Sequence, residues 1–334
     1  MMNPVYSPDA GRYTAGMKYR RCGKSGILLP EISLGLWHNF GDVNPLSNAE
    51  SMIHYAFDSG ITHFDLANNY GPSYGAAEET FGYIMEKSLK PYRDELFIST
   101  KAGHDMWQGP YGEWGSRKHL MSSIDQSLKR MHLEYVDIFY SHRYDPNTPL
   151  EETLQALVDI VRQGKALYVG ISKYPREAAD FAYNYLERQN VHCLLYQGRY
   201  NLLNREAEEE GTLKQAHHNG TGFIAFSPLA QGLLTNRYLS GHIPEDSRMA
   251  HDHFLKQEAL TDDMIAKITA LNVIALQRGQ SLAEMALAWI LKDDQVTSVI
   301  VGTSSVIQLA DNLRACEHTS FTEEELIRIK KVLS

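Results

Sequence analysis

Three ionisable residues stand at or near the ends of three consecutive apolar runs. Asp65 lies in THFDLA, Lys101 closes LFISTK and His142 closes VDIFYSH. A phenol, Tyr70, follows Asp65 by five residues, just before a Gly-Pro turn. A free phenol has a pKa near ~10 and is a poor acid at neutral pH. An adjacent ammonium favours the phenolate and lowers that value. A carboxylate paired with the ammonium holds it charged and in place. A histidine can polarise a carbonyl oxygen or pass a proton. Brought together, Asp65, Tyr70, Lys101 and His142 would form a proton donor. It would be aimed at an oxygen that becomes an alkoxide when hydride reaches its carbon. Singly, each has an ordinary role: a cap, a solvated strand end, a core histidine, a packing tyrosine. The chemistry therefore depends on elements that make the four converge.

Such elements are legible. Short, near-continuously apolar runs rich in Ile, Val, Phe and Tyr recur at 32–37, 62–67, 96–101, 136–142, 166–172, 194–198, 222–227 and 298–302. That is how strands buried on both faces of a parallel sheet read. Amphipathic stretches lie between them. Residues 48–60 end on Gly60, residues 116–133 follow Ser116 as N-cap, and residues 148–164 open with a capping box from Thr148 to Glu151. Strand ends fall at Asp65, Lys101, His142, Ser172, Gln197 and Ser227, 25 to 41 residues apart, and the next, Gly302, comes after 75. This alternation predicts an α/β fold, a (β/α)8 TIM barrel with a long loop after strand 7, over about 228–264. Residues 17–33 read as an N-terminal β-hairpin turning at 23–26, placed to plug the N-terminal end of the barrel. Two more helical stretches, VIQLADNLRAC and FTEEELIRIKKVL, follow the last strand, and the second is an extra C-terminal helix. Residues 1–16 are expected to form an irregular arm, and 17–334 a single barrel domain. A doubly wound sheet is disfavoured, because no strand is followed by GxGxxG.

Composition narrows the function. The 334 residues carry a net charge of −9, which argues against nucleic acid as a partner. No apolar run approaches the ~18 residues of a membrane span. The three cysteines, Cys22, Cys193 and Cys316, are far apart and form no CxxC. Neither a disulfide framework nor a metal site is expected, and a reducing cytoplasm fits.

In order along the chain, FDLANNYG, ISTKAG, VDIFYSHR, YVGIS and FSPLAQGLL resemble the motifs of the aldo-keto reductases. The resemblance runs from about residue 18 to the C-terminus. It is strongest to the branch that holds bacterial L-glyceraldehyde 3-phosphate reductase and the β subunits of voltage-gated potassium channels. It implies a barrel that binds NADPH in extended form, with Tyr70 as proton donor beside Asp65, Lys101 and His142. The channel subunits carry asparagine where this chain has His142, and an intact histidine favours turnover. Trp37 and Asp65 would face the nicotinamide ribose, Ser172 and Gln197 the carboxamide, and Phe226 the ring. Ser227, Leu229, Gln231 and Gly232 would bind the pyrophosphate, with Arg237 and Arg248 closing over it. Gly302, Ser304, Gln308, Asp311 and Asn312 match the adenosine end. The branch also implies a homo-oligomer, a tetramer or octamer.

The function so implied is NADPH-dependent reduction of small aldehydes, such as L-glyceraldehyde 3-phosphate or methylglyoxal. The aromatic, glycine-rich loop 104–119 would wall the substrate pocket, through Trp107, together with Trp37 and Tyr74. Arg117 and Lys118, at a helix N-terminus, and Arg143, next to His142, are candidate receivers of a substrate phosphate. Two other readings compete. One is a redox-sensing β-type subunit that binds NADPH with little turnover. The other is a Schiff-base aldolase using Lys101, which requires an unpaired, desolvated lysine.

Overall fold

Eight strands pair side by side in parallel and close on themselves. They are β3 (Ile32–Gly35), β4 (His63–Asp65), β5 (Phe97–Ala102), β6 (Val136–Ser141), β7 (Ala166–Ser172), β8 (Cys193–Arg199), β9 (Gly222–Phe226) and β10 (Ser298–Val301). The last, β10, pairs with both β9 and β3, which completes the barrel. The structure is a computed structural model and describes residues 6–245, 248–251 and 255–334. The expected fold class is observed, with all eight strands within a few residues of their expected positions.

Strand periodicity sorts the side chains. On β5, Ile98 and Thr100 face the helical layer, where Thr100 donates to Glu78 at 2.5 Å. Phe97, Ser99 and Lys101 alternate with them and point into the barrel. On β6, Phe139 belongs to the outer layer, while Ile138 and Tyr140 fill the interior beside Phe97. The strands read as almost wholly apolar because both faces are covered.

The helices are α1 (Leu46–Asp58), α2 (Ala76–Ile84), α3 (Arg117–Met131), α4 (Leu150–Arg162), α5 (Arg176–Arg188), α6 (Glu206–Glu209), α7 (Thr212–His218), α8 (Arg248–His251), α9 (Asp262–Gln277), α10 (Leu282–Ile290), α11 (Val306–Leu313) and α12 (Glu323–Leu333). No described helix is long and apolar enough to cross a membrane. Ser116 caps α3 as expected, its side chain accepting from the His119 amide. The capping box expected at Thr148 does not form. Helix α4 starts after Pro149 with no side-chain cap, and Thr148 instead donates to Asp145 at 2.6 Å. Proline pre-sets the backbone there, so the hydroxyl is released to order the preceding loop. The long connection after β9 carries short 3-10 turns and α8 before α9 begins at Asp262.

The hairpin of β1 (Tyr19–Arg21) and β2 (Leu28–Pro30) seals the N-terminal end. Cys22 and Leu29 are fully buried against Phe97, Ile138, Leu195 and Ile224 of the barrel interior. Gly23 sits at φ 50°, and a Cβ there would stand 1.9 Å from the Gly220 carbonyl oxygen, so only glycine allows this approach. Arg20 fixes the hairpin from the side, bonding the carbonyls of Leu291, Asp293 and Val296 and pairing with Glu31 at 2.8 Å. The described part of the N-terminal arm lies along α1, where Tyr6 stacks on His54 at 3.7 Å and donates to Asp58.

Because Leu29 fills the barrel floor, Leu29→Ala should destabilise the fold by about 2–5 kcal/mol. Denaturant unfolding checks this: the midpoint should fall with the slope unchanged, whereas an unshifted midpoint would mean the floor is loosely packed.

Candidate active site

At the other end of the barrel, successive strands deliver the polar residues. Asp65 ends β4, Lys101 is the fifth residue of β5, and His142 directly follows β6. Asp65 lies opposite Ser99 and Lys101 opposite Tyr140, so Lys101 stands two residues further toward the carboxyl end than the partner of Asp65 and reaches back to it. The Lys101 Nζ is fully buried and lies 2.7 Å from Asp65 Oδ2, 2.5 Å from the Leu66 carbonyl and 3.3 Å from the Tyr70 hydroxyl. Tyr70 enters from the loop after β4, half-buried, with its hydroxyl turned inward. Its ring lies 5.9 Å from that of His142, edge to face. The four residues singled out from the sequence therefore meet at the mouth of one barrel.

Asp65 is held on its other oxygen too. Ser99 donates to Oδ1 at 2.8 Å and Gln197 at 3.0 Å. Behind Ser99 a buried polar chain runs down the barrel. His63 Nε2 lies 3.1 Å from Ser99, His63 Nδ1 2.8 Å from Ser33, and Ser33 2.6 Å from Ser298. Burial holds His63 neutral, its pKa lowered to about 4.

The electrostatics correct one expectation. Lys101 was expected to lower the Tyr70 pKa, and it does pull in that direction. Burial outweighs it, and the phenol ends above its ordinary 10.0. Burial pulls Lys101 down, but Asp65 and then Tyr70 outweigh it, so the ammonium is held above its ordinary value. His142 is driven well below 6.5 by burial and then by the charges of Lys101 and Lys173, with Arg143 adding to them. It is neutral at neutral pH, and its Nδ1 is buried without a hydrogen-bond partner.

The residues expected to hold a dinucleotide surround this group. The Trp37 ring lies 6.5 Å from Tyr70. Ser172 ends β7, fully buried, and its hydroxyl has no partner. Gln197 spends its amide nitrogen on Asp65. Phe226 ends β9, partly buried against the barrel interior, with its ring centre 5.5 Å from the Lys173 amine. Beyond Phe226, Ser227, Gln231 and Gly232 adopt φ of 53°, 59° and 105°, a left-handed run around Leu229 in which the Ala230 amide donates to Ser227 and the Gly232 amide to Leu229. The side-chain oxygen of Gln231 is buried without a partner. Arg237 lies on the turn Asn236–Tyr238, and the side chain of Arg248 falls outside the described residues. On the connection from β10 to α11, Gly302 is exposed and Gln308 accepts from Ser304 twice, at 2.9 and 3.1 Å. Asn312 is buried with its amide nitrogen unpartnered, and Asp311 pairs with Arg314 at 2.9 Å. Buried polar atoms lacking partners at Ser172, Gln231 and Asn312 fit an extended polar ligand lying across these strand ends.

The substrate-side residues are less uniform. Tyr74 is exposed and donates to Asp105 at 2.5 Å, tying its loop to loop 104–115. Trp107 packs on His119, with ring centroids 4.9 Å apart. Arg143 is engaged already: it stacks on Trp114 at 3.6 Å, donates to the Gly103 carbonyl and pairs with Glu113. Arg117 turns away from the mouth to Asp159 at 2.5 Å, and its own amide donates to Glu152 at 2.9 Å. The phosphate site expected at the start of α3 is therefore filled by the chain's own carboxylates. Lys118 lies over the Tyr111 ring at 5.5 Å. The sequence reading missed His63, Ser99, His104 and Lys173. The first two lie two residues before Asp65 and Lys101, a spacing that marks one face of a strand. Lys173 directly follows the end of β7 and His104 comes two residues after the end of β5, where a polar residue in such a barrel faces the mouth.

An eight-stranded barrel with convergent ionisable groups at the carboxyl ends of its strands defines a barrel enzyme. The chain matches the Aldo/keto reductase family over residues 31–334 and belongs to it; it is an oxidoreductase of a family that uses nicotinamide cofactors. It is 56% identical over 329 residues to an L-glyceraldehyde 3-phosphate reductase of Escherichia coli O157:H7, covering 97% of this chain and 94% of that one. It is 55% identical, with the same coverage, to the protein of that name in Escherichia coli strain K12. It is also 34% identical over 316 residues to a probable voltage-gated potassium channel subunit beta of Oryza sativa subsp. japonica, covering 93% and 94%.

Removing one member of the buried pair should be costly. Lys101→Met leaves Asp65 buried without its cation and should lower stability by about 3–5 kcal/mol. The double variant Asp65→Leu with Lys101→Met should recover much of that loss. Unfolding midpoints of the three proteins test this, and an additive double variant would show that the pair is not coupled.

Proposed function

We propose that the chain reduces small aldehydes to alcohols with NADPH. The observation that carries this reading is the placement of the Lys101 ammonium between the Asp65 carboxylate at 2.7 Å and the Tyr70 hydroxyl at 3.3 Å, beside a neutral His142. A reduced nicotinamide, when bound, supplies the hydride. The rest of the chemistry belongs to the chain. Tyr70 gives its proton to the carbonyl oxygen as negative charge develops there. Lys101, held charged by Asp65, stabilises the tyrosinate left behind, so its attraction is strongest after the proton has moved. His142 can donate from its ring to the same oxygen without adding a second positive charge to the pocket. The Ser172 hydroxyl, which has no partner, and the side-chain carbonyl of Gln197 would orient a carboxamide. Cofactor preference for NADPH follows from the resemblance to the branch, and short aldehydes such as L-glyceraldehyde 3-phosphate and methylglyoxal are the substrate class it supports.

The aldolase reading fails on physical grounds, since Lys101 is paired and held charged, and so is no nucleophile. The regulatory reading draws on the likeness to channel subunits, and measurable turnover of a simple aldehyde would set it aside. The three cysteines are free and buried, in keeping with a reducing cytoplasm.

Tyr70→Phe should lower kcat for aldehyde reduction by about 10²- to 10⁴-fold while NADPH binding, read by fluorescence quenching, stays within about twofold. Activity near wild type would remove Tyr70 from the mechanism. The pH dependence follows from the two shifts. The Tyr70 proton is present below its raised pKa, and His142 charges only well below 6.5. Reduction should therefore hold level in kcat from about pH 6.5 to about pH 10 and fall only above that. A kcat limb centred near neutral pH would contradict the assignment.

A further inference from the structure

Lys101, Arg143 and Arg117 each pair with a carboxylate, Asp65, Glu113 and Asp159. Lys118 lies over the Tyr111 ring. Lys173 has an aromatic ring and an imidazole beside it but, among the described residues, no carboxylate. It directly follows Ser172 at the end of β7, and its backbone is turned into the left-handed region at φ 55°. Its amide donates to the Gln197 carbonyl at 3.3 Å. Its amine stands 3.3 Å from His104 Nε2 and 5.5 Å from the centre of the Phe226 ring, with no carboxylate in ion-pair range among the described residues. His104 in turn packs edge to face on His142, ring centroids 4.5 Å apart. The amine is thus one imidazole away from the residue beside the reacting oxygen.

The surroundings leave this cation short of negative charge. The residue as a whole is exposed, yet desolvation of its amine, then Lys101, Arg199 and Arg143, lower its pKa to about 8. It is still protonated at pH 7. His104 is lowered to about 4 by burial and then by Lys173 and Arg143, so it is neutral. With Lys173 protonated, His104 Nε2 accepts one of the three ammonium hydrogens, and two remain for a ligand. An ammonium crowded by like charges gains most from an anion, which offsets both the desolvation and the repulsion.

We propose that Lys173, steadied by His104, receives an anionic substituent, a phosphate or carboxylate, at the far end of a short aldehyde whose carbonyl lies at Tyr70 and His142. This rests on the reductase reading and names its substrate class. Lys173 is a specificity-determining residue in this assignment; it moves no proton and forms no bond.

The test compares the full-length enzyme with Lys173→Met and Lys173→Arg. Substrates are glyceraldehyde 3-phosphate, glyoxylate and uncharged glyceraldehyde, with NADPH binding measured separately by fluorescence quenching. For Lys173→Met, the KM ratio of charged to uncharged substrate should rise about 10- to 100-fold, and Lys173→Arg should restore most of it. A ratio changed for only one of the two anions tells whether phosphate or carboxylate is the native group. An unchanged ratio for both, or a loss that tracks weakened NADPH binding, overturns the proposal. Glycerol 3-phosphate, which has no aldehyde, is titrated into the NADP-loaded proteins as a readout without turnover. Equal affinity in wild type and Lys173→Met overturns the subsite even if no aldehyde is reduced. Tighter binding by wild type supports it even if the reductase reading fails.

Discussion

The arrangement depends on one buried ammonium. Lys101 is fully enclosed, and an isolated charge in that position would cost several kcal/mol in lost solvation. It persists because its hydrogens are taken by Asp65, the Leu66 carbonyl and Tyr70. Asp65 accepts from Lys101, Ser99 and Gln197, three donors contributed by two strands on either side of the barrel. A pair satisfied this fully is geometrically determined. Neither group can move without stranding the other, and the phenol that leans on the ammonium inherits that fixity.

The floor of the barrel contributes to the same rigidity. Ser99 donates to Asp65, so its oxygen must accept from His63. That places the imidazole hydrogen on Nε2 and leaves Nδ1 to accept from Ser33, which accepts from Ser298. Every donor in the chain points toward the carboxylate. Such a chain polarises in one direction and strengthens its last bond. It works only with a neutral imidazole, and burial keeps His63 neutral. The barrel thus divides its labour along its axis. Apolar residues and the hairpin close the bottom, a polar chain fills the middle, and ionised groups occupy the mouth.

The fold was legible because its signals are periodic. Two-sided burial makes each strand a short apolar run, and eight such runs alternating with amphipathic helices leave few architectures open. The catalytic candidates were legible because they are ionisable residues breaking those runs. Other features were not legible, for reasons that are physical. The balance between burial and Lys101 at Tyr70 depends on how deeply the hydroxyl is enclosed, which spacing does not encode. Arg117 reads as an anion receptor from its position at a helix start, yet Glu152 and Asp159 of the neighbouring helix reach it first. Thr148 has the spacing of a capping residue, yet Pro149 already sets the helix start. For Tyr70 and Arg117 groups distant in sequence decide the outcome, and for Thr148 its immediate neighbour does.

Buried polar groups without a partner occur in several parts of the described chain, and four of them belong to residues expected to meet a ligand. In the barrel interior, His63, Ser99, Ser33 and Ser298 are all paired. Around the mouth, the Ser172 hydroxyl, the Gln231 oxygen, the Asn312 amide and His142 Nδ1 are buried and unpaired. Each such group costs about 1–3 kcal/mol when left unmade. Tyr140 in the barrel interior, Glu31 and Tyr183 carry orphaned atoms as well, and the four around the mouth differ from these in lying at residues expected to meet a ligand. The turn at Ser227, Ala230 and Gln231 is left-handed, and its own backbone closes it, the Ala230 amide donating to the Ser227 carbonyl at 3.0 Å and the Gly232 amide to the Leu229 carbonyl at 2.8 Å.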